Sequence, residues 1–244
     1  MTEKARWTAL TIFSVAMAYV EAAVVLYLRV LVNQIDPYPP NPSAVPAWLI
    51  PTEIAREAAT VTMLLAVGWL AGRTWRSRLG YFFIAFGVWD LFYYVFLRLL
   101  TGWPRTLLDW DILFLIPLPW WGPVLAPTSI AALMIVGGTL MSRFDHRPDA
   151  RWPGRWSWGL SCTGAFLALY VFMADSLEAL SGGMEAIRHV VPTQFNWSLF
   201  ILALALMAAP LFDMGRPFRS RFIPEHLESK GSGSQTDEGT GHGM

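Results

Sequence analysis

Within FGVWDLFYYVFLRLL, residues Phe86 to Leu100, stand two of the side chains most costly to place in lipid, Asp90 and Arg98, with Tyr94 midway between them. A spacing of four puts all three on one face of a helix. Glu21, Val25 and Arg29 repeat that spacing, and Glu53 and Glu57 stand one turn apart with Arg56 and Thr60 beside them. Carboxyls and guanidiniums arranged this way can hold a small polar or cationic solute, or a proton. They can also do acid–base chemistry, because a carboxyl stripped of water becomes a stronger base or a neutral acid, whereas an arginine neighbour keeps it ionised. Glu57 and Asp90 are therefore the candidate catalytic acid–base groups. Glu21, Glu53, Arg56, Tyr94, Arg98 and Asp111 are the candidate ligand-binding groups.

Those residues sit on stretches that read as membrane spans. The chain of 244 residues is 55% hydrophobic and only 15% charged, against about 25% charged in soluble domains. Crossing a ~30 Å hydrocarbon core takes roughly 20 residues. Six stretches meet this: Trp7–Val32, Ile54–Gly72, Leu79–Thr101, Pro123–Ser142, Trp158–Ala174 and Trp197–Phe212. Although MTEKAR followed by WTALTIFSV imitates a signal peptide, the apolar run continues to Val32, so an uncleaved first span is expected. Between the third and fourth spans, RTLLDWDILFLIPLPWWGP is broken by Pro117, Pro119 and Pro123. Its Leu107–Ile116 portion is expected to form a short helix, interfacial or re-entrant, anchored by Trp110, Trp120 and Trp121. The fold class is thus an all-α polytopic membrane protein.

Loop charge sets the expected orientation. Arg73, Arg76 and Arg78 fill the second connection, Arg143, Arg147, Arg151 and Arg155 the fourth, and Arg216, Arg219 and Arg221 follow the last span, whereas Asn33–Thr52 contains no basic residue. The positive-inside rule then places both termini in the cytoplasm, in what is expected to be a bacterial inner (plasma) membrane. The loop from Asn33 is stiffened by proline, and the loop Asp175–Asn196 is expected to break at Ser181-Gly182-Gly183. Residues 1–221 form one transmembrane domain; residues 222–244, ending GSGSQTDEGTGHGM, have the composition of a disordered tail.

At ~1.5 Å per residue, Asp90 lies roughly 16 Å and Glu21 roughly 21 Å from the cytoplasmic side, and Glu57 about 8 Å below the outer surface. A lone acid at the centre of a span costs ~2.5–3.5 kcal/mol, so acids on three spans at similar depth are expected to face one another and not lipid. The competing expectation is that they only fix helix packing by hydrogen bonds, and that Arg29 and Arg98 snorkel.

Three functions follow as expectations. The first is a binding or transport protein for a small solute, cation or proton. The second is an intramembrane enzyme using a buried carboxyl on a lipid or isoprenoid, and the third is a structural subunit docking other membrane chains through its 13 tryptophans. Membrane lipid is an expected partner, with a small-molecule ligand and other membrane subunits as further ones. A formal net charge of zero speaks against nucleic acid. Four histidines, none central to an apolar span, point away from a His-rich metal site or bis-His haem, His189 in the second outer loop included, and the cofactor stays open. Six spans with an outward-opening polar pocket and a stiff first outer loop resemble the substrate-binding subunits of vitamin-uptake transporters. Acids buried on several helices are similar to those of small membrane terpene cyclases.

Overall fold

Why α3 occupies Trp75–Thr101 is plain from its ends. Thr74 and Ser77 form a capping box at its start, and Gly102, at φ 76°, closes it with its N–H on the Arg98 carbonyl. The remaining helices are α1 (Glu3–Leu31), α2 (Leu49–Ala71), α4 (Leu125–Ser142), α5 (Arg155–Ala179), and the pair α6 (Trp197–Met207) and α7 (Ala209–Gly215). Asn196 caps α6 through Leu199 N–H at 3.1 Å, and the break after Met207 falls just before Pro210. Six helical stretches are long and apolar enough to cross a membrane, α6 and α7 together making the sixth. This computed structural model describes residues 2–31, 49–116, 118–147, 151–183, 186 and 194–215. Most of the loop Asn33–Thr52, Arg188, His189, Arg216, Arg219, Arg221 and the tail from 222 lie outside the described residues.

The helices come close where side chains vanish. A Cβ on Gly138 would stand 2.4 Å from the Gly80 carbonyl, and one on Gly87 would stand 2.5 Å from that of Ala131. Both pairs lie on the α3–α4 seam two turns apart, the small-residue contact that lets apolar helices associate without a hydrophobic drive from water. Leu10, Leu64, Tyr81 and Ile84 join α1, α2 and α3 in one core, while Ala168, Phe172, Phe200 and Ala203 join α5 to α6 in another. Outward, Leu70, Leu99 and Phe166 are exposed, as suits a bundle whose solvent is lipid.

The expected helix at Leu107–Ile116 is absent. A turn leads instead into an antiparallel hairpin, β1 (Trp110–Ile112) with β2 (Trp121–Pro123), in the register Trp110↔Pro123, Asp111↔Gly122, Ile112↔Trp121. Leu113 N–H to Trp120 O at 2.9 Å and Trp120 N–H to Phe114 O at 2.8 Å extend the pairing. The prolines at 117, 119 and 123 in the sequence bar a helix from continuing past Ile116, and the hairpin pairing satisfies the backbone on either side instead. The same piece then starts α4: the Val124 and Leu125 N–H groups bond the carbonyls of Asp109 and Leu107 at 2.9 and 2.7 Å. Protein covers it, as irregular backbone near lipid requires. Trp120 stacks parallel to Phe172 of α5, and Ser176 donates to the Pro119 carbonyl at 2.7 Å.

The two ends of the bundle differ in charge. Arg73, Arg76, Arg78, Arg143, Arg151 and Arg155 gather where α3 and α5 begin, whereas Glu53, Glu57, Asp109, Asp111, Asp175 and Glu178 lie toward the hairpin end.

Candidate functional site

The acids meet at the hairpin end in three linked groups. On α1 and α2, Glu21 forms an ion pair with Arg56, whose Nε donates to Glu53 at 2.9 Å. The second Glu21 oxygen accepts from the Thr60 hydroxyl at 3.1 Å. Glu21 and Thr60 are buried, so α1 and α2 are fastened by a polar contact shielded from lipid.

One turn from Glu53, Glu57 performs a different task. Both of its oxygens accept the Leu115 N–H at 3.0 Å, and the Ile116 N–H also acts on it. These two residues follow the paired portion of β1, and Glu57 supplies the acceptor their amides lack. Burial without such a partner costs on the order of 1–3 kcal/mol.

The third group joins the hairpin to α1 and α3. Asp111 accepts from the Tyr94 hydroxyl at 3.1 Å and faces Arg29 at 3.9 Å; the Arg29 guanidinium rests 4.4 Å from the centre of the Trp103 ring. Burial pushes the Asp111 carboxyl up to about 6, while Arg29 and the Tyr94 hydrogen bond pull it down. Asp109, two residues away and nearer water, is spent on the loop: it accepts from the Arg105 N–H at 2.6 Å and the Thr106 hydroxyl at 2.8 Å.

Asp90 completes the set. It interacts electrostatically with Asp111, and among the described residues its buried Oδ2 has no hydrogen-bond partner. The same is true of Nη1 of Arg29. Between the groups stands Tyr93, stacked on Trp89 at 6.2 Å and edge-on to Tyr94 at 5.1 Å, within electrostatic reach of Asp111, Arg29, Arg56 and Asp90.

No protein family, curated protein or solved structure matches this chain.

Geometry therefore carries the reading. Of the residues expected from sequence, Glu21, Glu53, Arg56, Glu57, Tyr94, Asp90 and Asp111 come together. Arg98 does not: it is exposed, and its guanidinium bonds the carbonyls of Gly102 (2.9 Å) and Pro104 (2.5 Å) at the end of its own helix. Shared spacing with Asp90 put it on the right face but one turn too far out. Arg29 takes the place expected of Arg98, and Tyr93 is a junction that sequence treats as packing. The i, i+4 pattern of Glu21 and Arg29 did mark α1, but only the hairpin's fold shows which acid Arg29 meets. Among the described residues no three His, Cys, Asp or Glu side chains converge as a metal ion would require. An open groove of about 480 Å3 lies at the other end of the bundle, beside Arg155, Trp156 and Gly159.

Proposed function

We propose that this chain is a multi-pass plasma-membrane protein that binds and transports a small monovalent cation or protonated solute, with the Arg-rich end in the cytoplasm and the acid cluster in the outer half of the bilayer. One observation carries this reading. Among the described residues the cluster holds the carboxyls of Glu21, Glu53, Glu57, Asp90 and Asp111 against the guanidiniums of Arg29 and Arg56, and a buried Asp90 oxygen has no partner among them. Charge in low dielectric demands compensation, and the compensation lacking among the described residues is positive.

The groups divide the work. Arg56 and Thr60 hold Glu21 in place, and Glu57 anchors the hairpin instead of acting as a catalytic acid. Asp90 supplies the ligand-binding carboxylate, with Asp111 and the Tyr93 and Tyr94 hydroxyls as neighbouring oxygens. A spread donor set of this kind suits a singly charged ion, not a divalent one that needs six or more oxygens. Protons compete for the same carboxyls, so cation binding weakens as pH falls through about 6, where Asp111 titrates.

The test is thermal unfolding of purified protein in detergent with sodium, potassium or alkylammonium salts at pH 8 and pH 5. A cation at 100-fold its Kd should stabilise wild type by about 2.7 kcal/mol at pH 8, much less at pH 5, and not at all in Asp90→Asn. A panel in which no cation separates wild type from that variant rejects the proposal.

A further inference from the structure

The Arg-rich end carries a feature that the acid cluster leaves unexplained. α3 begins with Trp75 and Arg76, and the segment before α5 brings Trp152 against them. The Arg76 guanidinium lies 4.9 Å from the centre of the Trp152 ring, 5.3 Å from that of Phe144 and 5.8 Å from that of Trp75. Trp75 and Trp152 meet edge-on at 4.9 Å, and Trp152 continues to Trp158 at 5.5 Å. Aromatic faces hold a cation without consuming its N–H groups, and among the described residues no carboxylate pairs with Arg76. Through Trp158 the aromatic file reaches the first turns of α5. There Arg155 and Trp156 line the open groove with Gly159, where a side chain would meet nothing. The neighbouring acid, Asp213, is engaged by the Gly154 N–H at 3.1 Å and by the Ser157 hydroxyl.

Tryptophan at the end of a span lies at headgroup level, and Trp156 is 77% exposed. Arginine there, with no carboxylate on it among the described residues, matches a phosphate group. The surplus of arginine over acid at this end selects a lipid with net negative charge over a zwitterionic one. Beyond the groove, exposed Leu160 and Phe166 give acyl chains an apolar track along α5.

We propose that Arg76 and Arg155, framed by Trp152 and Trp156, hold the headgroup of an anionic phospholipid against this end of the bundle. The site stands apart from the cation-binding reading and survives or fails on its own.

The test uses full-length wild type, Arg76→Ala, Arg155→Ala and, as a control at the other end, Arg105→Ala. Retention of phosphatidylglycerol and phosphatidylcholine from mixed micelles is read by native mass spectrometry, with inorganic phosphate added in a separate arm. Wild type should prefer phosphatidylglycerol. Each of the two arginine variants should lose about fivefold of that preference, while Arg105→Ala keeps it and inorganic phosphate does not compete. Arg155 lies exposed at the groove, so its variant carries the test even if Arg76→Ala fails to fold. Equal retention of the two lipids by wild type overturns the proposal. So does an undiminished preference in both variants, a loss as large in Arg105→Ala, or displacement of the lipid by inorganic phosphate.

Discussion

Asp145 and Asp90 are both acids packed among apolar helices, and their surroundings are opposite. Asp145, just after α4, accepts from the Arg6 guanidinium and the Ser77 hydroxyl, and from the backbone N–H groups of Arg73 and Thr74 at 3.2 and 3.3 Å. Arg6 also donates to the Ala71 carbonyl at 2.8 Å, so one carboxylate gathers the ends of α1, α2, α3 and α4. Asp213 repeats the arrangement at the start of α5, bonding the Gly154 N–H and the Ser157 hydroxyl. In both cases an acid reaches back to the first turn of a helix earlier in the chain. Asp90, at the other end of the molecule, has an acid for a neighbour and an unpartnered oxygen. Saturated carboxylates hold a fold together; an unsaturated one is available to something that arrives.

Substitutions should separate the two kinds of acid. The largest effect is expected at the saturated one: Asp145→Ala strands a buried Arg6 and should cost about 3–5 kcal/mol in unfolding measurements. If it proves silent, the latch is ornamental and the contrast between the ends disappears.

Asp111 offers a pH-dependent version of the comparison. Its folded value, about 6, lies above the ordinary 3.8, so the folded chain binds more protons than the unfolded one between those limits. Its contribution to stability therefore falls as pH rises from about 4 to about 6 and is flat above, by up to about 3 kcal/mol. Asp111→Asn should flatten that portion of the stability–pH curve; an unaltered slope would show that another group produces it.

Glu57 tests whether an acid at the hairpin end can be structural. Glu57→Ala leaves the Leu115 amide without its acceptor and should cost about 1–3 kcal/mol. Glu57→Gln keeps an acceptor oxygen and should recover most of this. Equal losses in the two variants would mean that charge, not the hydrogen bond, fixes the hairpin.

How far this could be read from sequence depended on which forces were local. Helix positions followed from apolar length, and the shared faces of Glu21 with Arg29 and of Asp90 with Tyr94 followed from the 3.6-residue repeat, because both are properties of a single helix. Spacing does not place Arg98, because it reports the face of a helix and not how far the partner reaches along it. Sequence alone does not separate hairpin from helix here, because Leu107–Ile116 is apolar enough for either. The decision rests with Glu57 and Ser176, which lie far away in the chain and satisfy the hairpin backbone. Tyr93 was indistinguishable from a packing aromatic until Arg29, Arg56, Asp90 and Asp111 stood around it. Asp145 gave no signal at all, since an acid in an Arg-rich loop reads as solvated.

The smallest expected change in stability accompanies the most decisive change in binding. Asp90→Asn removes a buried carboxyl that no described group compensates, so the ligand-free variant should be at least as stable as wild type, and its response to every cation at pH 8 should be lost. An Asp90→Asn protein that is still stabilised by the same cation to the same extent would contradict the account.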